Sequence, residues 1–134
     1  MALYPYLFFN GNAREAALFY AKAFGAPEPQ ILTYGSGHAD EIPAEAKDLV
    51  MHTYIEIGGS KVMISDDYPG SSYQLGNNFT LAYVSSDEAA IRSAFEKLKD
   101  GGAVELELQE MPWSKAYGIV TDKFNIKWQF SHEA

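Results

Sequence analysis

The side chains that could do chemistry in this chain are few and lie far apart in the sequence. Its histidines are His38, His52 and His132, and it contains no cysteine. The lack of cysteine excludes disulfides, thiolate catalysis and cysteine-ligated zinc. Any chemistry would therefore come from scattered polar side chains and from the aromatic residues around them.

A polar stripe is predicted on one strand. In VMHTYIEI (50–57), His52, Tyr54 and Glu56 alternate with apolar residues and would share one face. This stripe would line a pocket or would be the ordinary solvated face of a sheet. His52 and Glu56 would lie about 13 Å apart along the strand. They could not share one proton, so an acid–base pair within this strand is disfavoured.

Three aromatic residues, Phe79, Trp113 and Tyr117, could form the wall of a small-molecule site, since such sites combine apolar walls with a few polar groups. The same residues could instead be ordinary core or dimer contacts. Asp66 and Asp67 end a strand-like run and precede a loop, which is typical of turn formers.

Two helices with one shared pattern must position these residues. They are predicted over 12–24 and 86–100, where apolar residues recur at helical spacing. Each begins with a small polar residue and a glutamate three positions on, the spacing of a capping box, and each ends at glycine. The capping pairs are Asn12 with Glu15 and Ser85 with Glu88, and the glycines are Gly25 and Gly101.

Strand-like runs surround both helices, so the chain is predicted to be an α+β protein of two tandem βαβββ units. A single domain, 1–134, would contain unit one (about 1–75) and unit two (about 76–134). Residues 35–48 are expected to form a mobile loop, functional or merely connecting, with a helical turn starting at Pro43. The strands are predicted at 3–9, 28–34, 50–57 and 60–66 in unit one, and at 78–84, 103–110, 116–122 and 126–132 in unit two.

Composition excludes several classes of partner. The 134 residues are 47% hydrophobic, which is typical of a folded globular chain. With 10 basic and 18 acidic residues the net charge is −8, which disfavours nucleic acid and anionic membranes. No apolar run reaches the roughly 18 residues of a membrane helix, and the N-terminus lacks a basic leader. We therefore expect a soluble cytoplasmic protein.

Three segments in order resemble the PhnB-like proteins of the vicinal oxygen chelate superfamily. The segments are FFNGNAREAALFYAKAFGA (8–26), MHTYIEIGGSKVMISDD (51–67) and WSKAYGIVTDKFNIKWQF (113–130). The superfamily includes glyoxalase I, extradiol dioxygenases, and fosfomycin and bleomycin resistance proteins. The resemblance implies two four-stranded sheets that form a cup-shaped half-open barrel, the glyoxalase/bleomycin-resistance fold, and it also implies a homodimer.

The resemblance also permits a test for metal binding. Superfamily enzymes hold a divalent metal with His, Glu or Gln side chains from the first and fourth strands of each unit. Only one of the corresponding residues here could bind a metal, so we expect no metal and no other cofactor. The four positions are Pro5, Ile64, Phe79 and Gln129, and a shift of one residue offers Tyr4 or Tyr6, Met63 or Ser65, and Asn78 or Thr80.

The resulting prediction is a protein that binds a small organic molecule in the cup. If Gln129 faces the cup, so do Lys127 and Ser131, while Trp128 and Phe130 pack under the helices. The predicted ligand-binding residues are His52, Tyr54, Glu56, Phe79, Trp113, Tyr117 and Gln129.

Two alternatives stay open at this point. One is a lyase, isomerase or transferase with a non-standard metal site, and the other is a dimeric scaffold without catalysis. A methyltransferase activity is not supported, because no glycine-rich loop follows a parallel strand with an acidic residue some twenty positions on.

Overall fold

Two mixed four-stranded sheets, each packed against one long helix, make up the computed structural model, which describes residues 1–38, 42–68 and 70–134. The chain divides into two compact units, Met1–Gln74 and Leu75–Ala134. Unit one contains β1 (Tyr6–Phe9), α1 (Ala13–Phe24), β2 (Leu32–Thr33), a short helix α2 (Gly35–His38), β3 (Val50–Ile57) and β4 (Ser60–Asp66). Unit two contains β5 (Leu81–Ser85), α3 (Glu88–Leu98), β6 (Ala103–Met111), β7 (Ser114–Thr121) and β8 (Lys127–His132).

The two units share one topology. The strand orders are β1-β4-β3-β2 and β5-β8-β7-β6. In each sheet the first strand of the unit pairs in parallel with the fourth, and the other neighbours are antiparallel. Gly58 and Gly59, both at positive φ (58° and 83°), form the tight hairpin between β3 and β4. The predicted tandem βαβββ arrangement and the α+β class are confirmed.

Each sheet has one face covered by the helix of its own unit. In unit one, α1 packs against β3 and β4. In unit two, Trp128 and Phe130 are buried, and the Phe130 ring meets the Phe95 ring of α3 edge-on with centroids 5.6 Å apart. The predicted burial of Trp128 and Phe130 under the helix is therefore confirmed. Ser131, predicted on the face of Gln129, pairs with Tyr117 of that face but is itself buried. We call the opposite side of each sheet its helix-free face; it carries Tyr6, Phe8, His52, Tyr54 and Met63 in unit one and Tyr117, Ile119, Lys127 and Gln129 in unit two.

Both predicted capping boxes are wrong. The Asn12 side chain makes no capping bond, and the Ala13 amide instead donates to the carboxylate of Asp66 (3.0 Å). The cap of α3 is Asp87, whose side chain accepts from the amide of Ala90 (3.1 Å). Ser85 cannot be that cap because it is the last residue of β5. The left-handed exit from α1 at Gly25 is confirmed (φ 67°).

Several predicted strands are shorter than expected. β1 begins at Tyr6 instead of residue 3, and β5 begins at Leu81 instead of residue 78. β2 shrinks from 28–34 to two residues, because prolines at 27 and 29 have no N–H to donate to a sheet.

The predicted loop 35–48 is partly helical. The turn expected after Pro43 is confirmed as a 3-10 helix, Ala44–Ala46, and α2 occupies the start of the segment. Residues 42–43 and 47–48 are neither helix nor strand, and residues 39–41 of the predicted loop lie outside the described residues. No helix in residues 1–38, 42–68 and 70–134 is long and apolar enough to cross a membrane.

Candidate functional site

A chain of hydrogen bonds crosses the helix-free face of unit two. The Tyr117 hydroxyl donates to Gln129 Oε1 (2.6 Å), and Gln129 Nε2 donates to Thr80 Oγ1 (2.9 Å). The strands explain this contact. Gln129 on β8 lies opposite Ile119 of β7, so Tyr117, two residues before Ile119, projects from the same face. Thr80 immediately precedes β5, the other neighbour of β8.

One large aromatic side chain, Trp113, borders this chain of hydrogen bonds through Tyr117. The Trp113 ring meets the Tyr117 ring edge-on, with centroids 5.4 Å apart, yet Trp113 remains 61% exposed. Phe79, next to Thr80 in the sequence, is 62% exposed. The structure thus brings Trp113, Tyr117 and Gln129 into one cluster, with Phe79 beside the residue that holds Gln129.

An ion pair lies on the same face of unit two. Lys127 Nζ is 3.2 Å from Glu105 Oε1, and the Thr121 hydroxyl donates to the same oxygen (3.3 Å). The prediction that Lys127 shares the face of Gln129 is confirmed. Since a carboxylate already neutralises this ammonium group, Lys127 attracts an anionic ligand less than an isolated lysine would.

The other three predicted residues lie on unit one, where Tyr6 and Lys61 contact two of them. His52 Nδ1 is hydrogen-bonded to the hydroxyl of Tyr6 (3.0 Å). Lys61 Nζ sits 4.5 Å from the centre of the Tyr54 ring, a cation–π distance. Glu56 is exposed and lies opposite Lys61 in the β3–β4 register. The predicted alternation of His52, Tyr54 and Glu56 on one face of unit one is confirmed.

Two hydroxyl partners escaped the sequence analysis. Thr80 and Tyr6 appeared there only as shifted metal positions, yet Thr80 bonds Gln129 and Tyr6 bonds His52. Both contacts follow from strand register. The register of a parallel pair joins distant segments, so it cannot be read from the sequence.

Asp66, predicted to be a turn former, is a buried anchor. It is 1% exposed, and its carboxylate accepts from the amides of Gly11 (2.9 Å), Ala13 (3.0 Å) and Val50 (2.9 Å). One side chain thus joins the end of β4 to the start of α1 and the start of β3. Asp67, by contrast, is only partly buried.

Tyr34 gives the fold a dependence on alkaline pH. Its hydroxyl donates to the carbonyl of Asp66 (3.0 Å). Burial raises the pKa of Tyr34 above its ordinary value of 10.0, and Tyr6 and Asp66 raise it further. Burial likewise raises the pKa of Tyr73, which donates to the carbonyl of Phe8 (3.2 Å). Folding therefore favours the protonated form of both tyrosines.

The sign of the pH effect follows from linkage. A raised pKa in the folded state stabilises the fold below the unfolded pKa, and this contribution is lost as pH rises through the folded pKa. We expect the free energy of unfolding to stay level up to about pH 10 and to fall above it, in urea titrations between about pH 8 and 11. The double variant Tyr34→Phe/Tyr73→Phe should flatten the fall, and an unchanged slope would contradict the assignment.

Register shows which residues of the first and fourth strands, the strands to which the resemblance assigns the metal ligands, pair on the helix-free face. In unit one, Tyr6 of β1 pairs with Met63 of β4 on this face, and in unit two, Ala82 of β5 pairs with Gln129 of β8. Each of these residues lies three positions before the end of its strand. Ile64, expected like Gln129 to occupy a metal position, is fully buried and pairs with Leu7. It therefore lies on the helix-covered face of unit one, and its expected placement is wrong. A one-residue shift reverses the face of a strand residue.

The residues at these positions do not fit the superfamily's metal. Divalent first-row metals prefer imidazole and carboxylate donors. These positions instead carry the phenol of Tyr6, the thioether of Met63, the methyl group of Ala82 and the amide of Gln129. Within residues 1–38, 42–68 and 70–134 there is no group of three or more His, Asp or Glu side chains able to hold an ion.

Comparisons with known proteins agree with this fold and identify the family. The sequence model of the 3-demethylubiquinone-9 3-methyltransferase family matches residues 1–131. Protein YjdN of Escherichia coli (strain K12) is 30% identical over 145 residues, covering 98% of this chain and 95% of YjdN.

Solved structures of similar proteins share this fold. Protein PA1353 of Pseudomonas aeruginosa superposes with a TM-score of 0.87 at 30% identity, covering 99% of this chain and 98% of the other. A putative 3-demethylubiquinone-9 3-methyltransferase, PhnB protein, of Bacillus cereus gives a TM-score of 0.77 at 26% identity, with 99% and 100% covered.

A more distant structure shares the fold. The fosfomycin resistance protein FosX of Listeria monocytogenes gives a TM-score of 0.64 at 15% identity, covering 100% of this chain and 94% of FosX. The predicted glyoxalase/bleomycin-resistance fold is thus confirmed. The chain belongs to the PhnB-like 3-demethylubiquinone-9 3-methyltransferase family, within the vicinal oxygen chelate superfamily.

Proposed function

We propose that this protein binds a small, flat organic molecule on the helix-free face of unit two, without a metal. The observation that carries the proposal is the chain of hydrogen bonds Tyr117–Gln129–Thr80 next to the exposed ring of Trp113. Small-molecule sites combine apolar walls with a few fixed polar groups, and this cluster has both. Trp113 and Phe79 supply the wall, and Gln129 orients the ligand.

The exposed aromatic rings favour a flat ligand. Trp113 and Phe79 are each more than half exposed, and covering such rings with an apolar surface is favourable. A flat molecule stacked on Trp113 removes a large ring area from water. Because it has few rotatable bonds, it loses little conformational entropy on binding.

Charge disfavours an anion such as a free phosphonate. The net charge of the chain is −8, and Lys127 on this face is already paired with Glu105. An anion would lose its hydration without gaining an uncompensated positive partner here. We therefore propose an uncharged ligand.

We propose His52, Tyr54 and Glu56 as ligand-binding residues of unit one, as the sequence suggested. Their support is their position on the helix-free face of unit one, together with the hydrogen bond that fixes His52. Of the three, His52 is best suited to orient a ligand because Tyr6 holds its ring. A His52→Ala variant in the titrations below tests whether unit one contributes to ligand binding.

Truncation of Trp113 tests the proposal. Trp113→Ala should weaken binding of a planar bicyclic ligand by about 2 kcal/mol, roughly thirtyfold, since stacking on one aromatic side chain contributes about that much. Isothermal titration calorimetry with 2-quinolone and 2-naphthol measures the loss. Leu18→Ala, an exposed apolar truncation on α1, is the control and should change nothing. Equal affinities in wild type and Trp113→Ala would contradict the proposal.

The family description names a methyltransferase, and only part of that description suits this site. A quinone-like ring is flat and would fit the proposed site. The strands that lead into helices, β1 and β5, are followed by links with at most one glycine, Gly11, unlike the glycine-rich turns that hold nucleotide-type cofactors. We propose ring binding for this chain and not methyl transfer.

We also propose a homodimer. Large apolar side chains stay exposed on the helix-free face of unit one, including Phe8 (49%) and Tyr54 (43%), and contiguous exposed apolar surface marks interaction sites. Sedimentation at micromolar concentration should show twice the chain mass of 14.8 kDa. A single 14.8 kDa species would exclude the dimer under these conditions.

A further inference from the structure

We infer that the ligand of the unit-two cluster presents a ring-locked amide edge, an N–H beside a C=O, to Gln129; the preferred class is an uncharged ring-fused lactam. This inference rests on the proposed function, because it names the chemistry of the molecule that stacks on Trp113.

The first step is the orientation of the Gln129 amide. Its oxygen accepts from Tyr117 (2.6 Å) and its nitrogen donates to Thr80 (2.9 Å). Tyr117 belongs to β7 and Thr80 immediately precedes β5, and these two strands flank β8 on opposite sides. An amide held from both sides cannot rotate freely, so its orientation is set before a ligand arrives.

The second step is what the amide has left to offer. A glutamine amide carries two N–H donors and two acceptor lone pairs. Tyr117 uses one lone pair and Thr80 receives one N–H, which leaves one donor and one acceptor on adjacent atoms. Gln129 is only partly buried, and we take its exposed part to include these two groups. Their complement is another adjacent donor and acceptor.

The third step selects a cyclic amide. Pairing at both atoms requires the ligand N–H and C=O on the same side of the amide bond, which is the cis geometry. Open-chain secondary amides strongly prefer trans, whereas a ring enforces cis. A lactam fused to an aromatic ring also supplies the flat surface that the exposed rings of Trp113 and Phe79 favour.

The fourth step excludes a carboxylate at this position. A ring carboxylate offers only lone pairs, so its second oxygen would face the remaining acceptor of Gln129. The cationic group on this face, Lys127, is already bound to Glu105 at 3.2 Å. A neutral lactam meets neither penalty.

A matched pair of probes tests the inference in calorimetric titrations of the purified protein. 2-Quinolone carries the N–H and C=O edge, and N-methyl-2-quinolone has a methyl group in place of the N–H hydrogen, so it can neither donate this bond nor pair edge to edge. We expect 2-quinolone to bind about tenfold more tightly, the discrimination typical of a hydrogen bond that one ligand cannot make. Gln129→Met should reduce this preference to less than about twofold, while Trp113→Ala should weaken both probes alike.

A second variant guards against loss of folding in Gln129→Met. Tyr117→Phe keeps the ring that contacts Trp113 but removes the bond that holds Gln129, so it too should reduce the preference for 2-quinolone. Thermal unfolding of both variants reports whether they are folded.

The outcomes separate the inference from the proposed function. Equal binding of the two quinolones with loss in Trp113→Ala would overturn the lactam inference and leave ring binding intact. Binding of 2-naphthol alone would do the same. A preference for 2-quinolone that persists in Gln129→Met would overturn the role of Gln129. Failure of every planar probe, 2-naphthol included, would overturn the proposed function and the inference together.

Discussion

Replacing Asp66 with alanine is expected to lower the free energy of unfolding by about 4 kcal/mol. The carboxylate accepts three backbone N–H groups from three separate segments, and it is 1% exposed. Without it, the amides of Ala13 and Val50 remain buried with no acceptor from this side chain, and each such group costs about 1–3 kcal/mol. That loss is a large part of the roughly 5–15 kcal/mol typical of a domain.

Asp67 provides a matched control for this prediction. It has the same side chain one position on, but it is only partly buried. Its carboxylate is therefore not expected to anchor neighbouring segments. Asp67→Ala should change the free energy of unfolding by less than about 1 kcal/mol. Urea denaturation of the two variants measures the contrast. Similar losses in both would show that Asp66 does not anchor α1 and β3.

Trp128→Ala is expected to have an effect of similar size in unit two. Trp128 is 2% exposed on the helix-covered side of β8, and its indole N–H donates to Asp122 Oδ2 (2.9 Å). Truncation of such a residue leaves a cavity and a carboxylate with one fewer donor, at a cost of about 3–5 kcal/mol. Trp128→Phe should cost less, about 1–3 kcal/mol, because it keeps most of the volume.

The chain carries its own control for this second prediction. Trp113 is the other tryptophan, and it is 61% exposed. Trp113→Ala should therefore leave the free energy of unfolding within about 1 kcal/mol of wild type. The two tryptophans should behave oppositely, with Trp128→Ala lowering stability and Trp113→Ala lowering ligand affinity. Equal stability losses in the two variants would contradict the assigned burial.

The architecture could be predicted because its signals are local. The helical spacing in 12–24 and 86–100 and the alternation in 50–57 each indicate an element without knowledge of its partners. The duplicated pattern then indicates two equivalent units. Strand ends were less accurate, as at β2, where two prolines remove the donors that a strand would need.

Helix caps and the face on which Ile64 lies could not be predicted because they depend on residues distant in the sequence. The acceptor at the start of α1 is Asp66, more than fifty positions away, so the local Asn12 signal was misleading. Ile64 was placed on the wrong face because the parallel register of β1 with β4 is not visible in either strand alone.

The candidate site shows the same division. Residue type suggested Trp113 and Tyr117 in the sequence, and the structure brings their rings together. The bond between Gln129 and Thr80 joins residues 49 positions apart and depends on the pairing of β5 with β8. The hydrogen-bond partners of Gln129 therefore required the fold, whereas Gln129 itself was suggested by the family resemblance and the aromatic residues by their type.

Ligand binding on unit two is tested most directly by nuclear magnetic resonance of the ¹⁵N-labelled protein during titration with 2-quinolone. The indole signal of the exposed Trp113 and the side-chain amide signals of Gln129 should shift and saturate together, while the indole signal of the buried Trp128 stays in place. Unchanged Trp113 and Gln129 signals, both here and in a parallel titration with 2-naphthol, would contradict the proposed site.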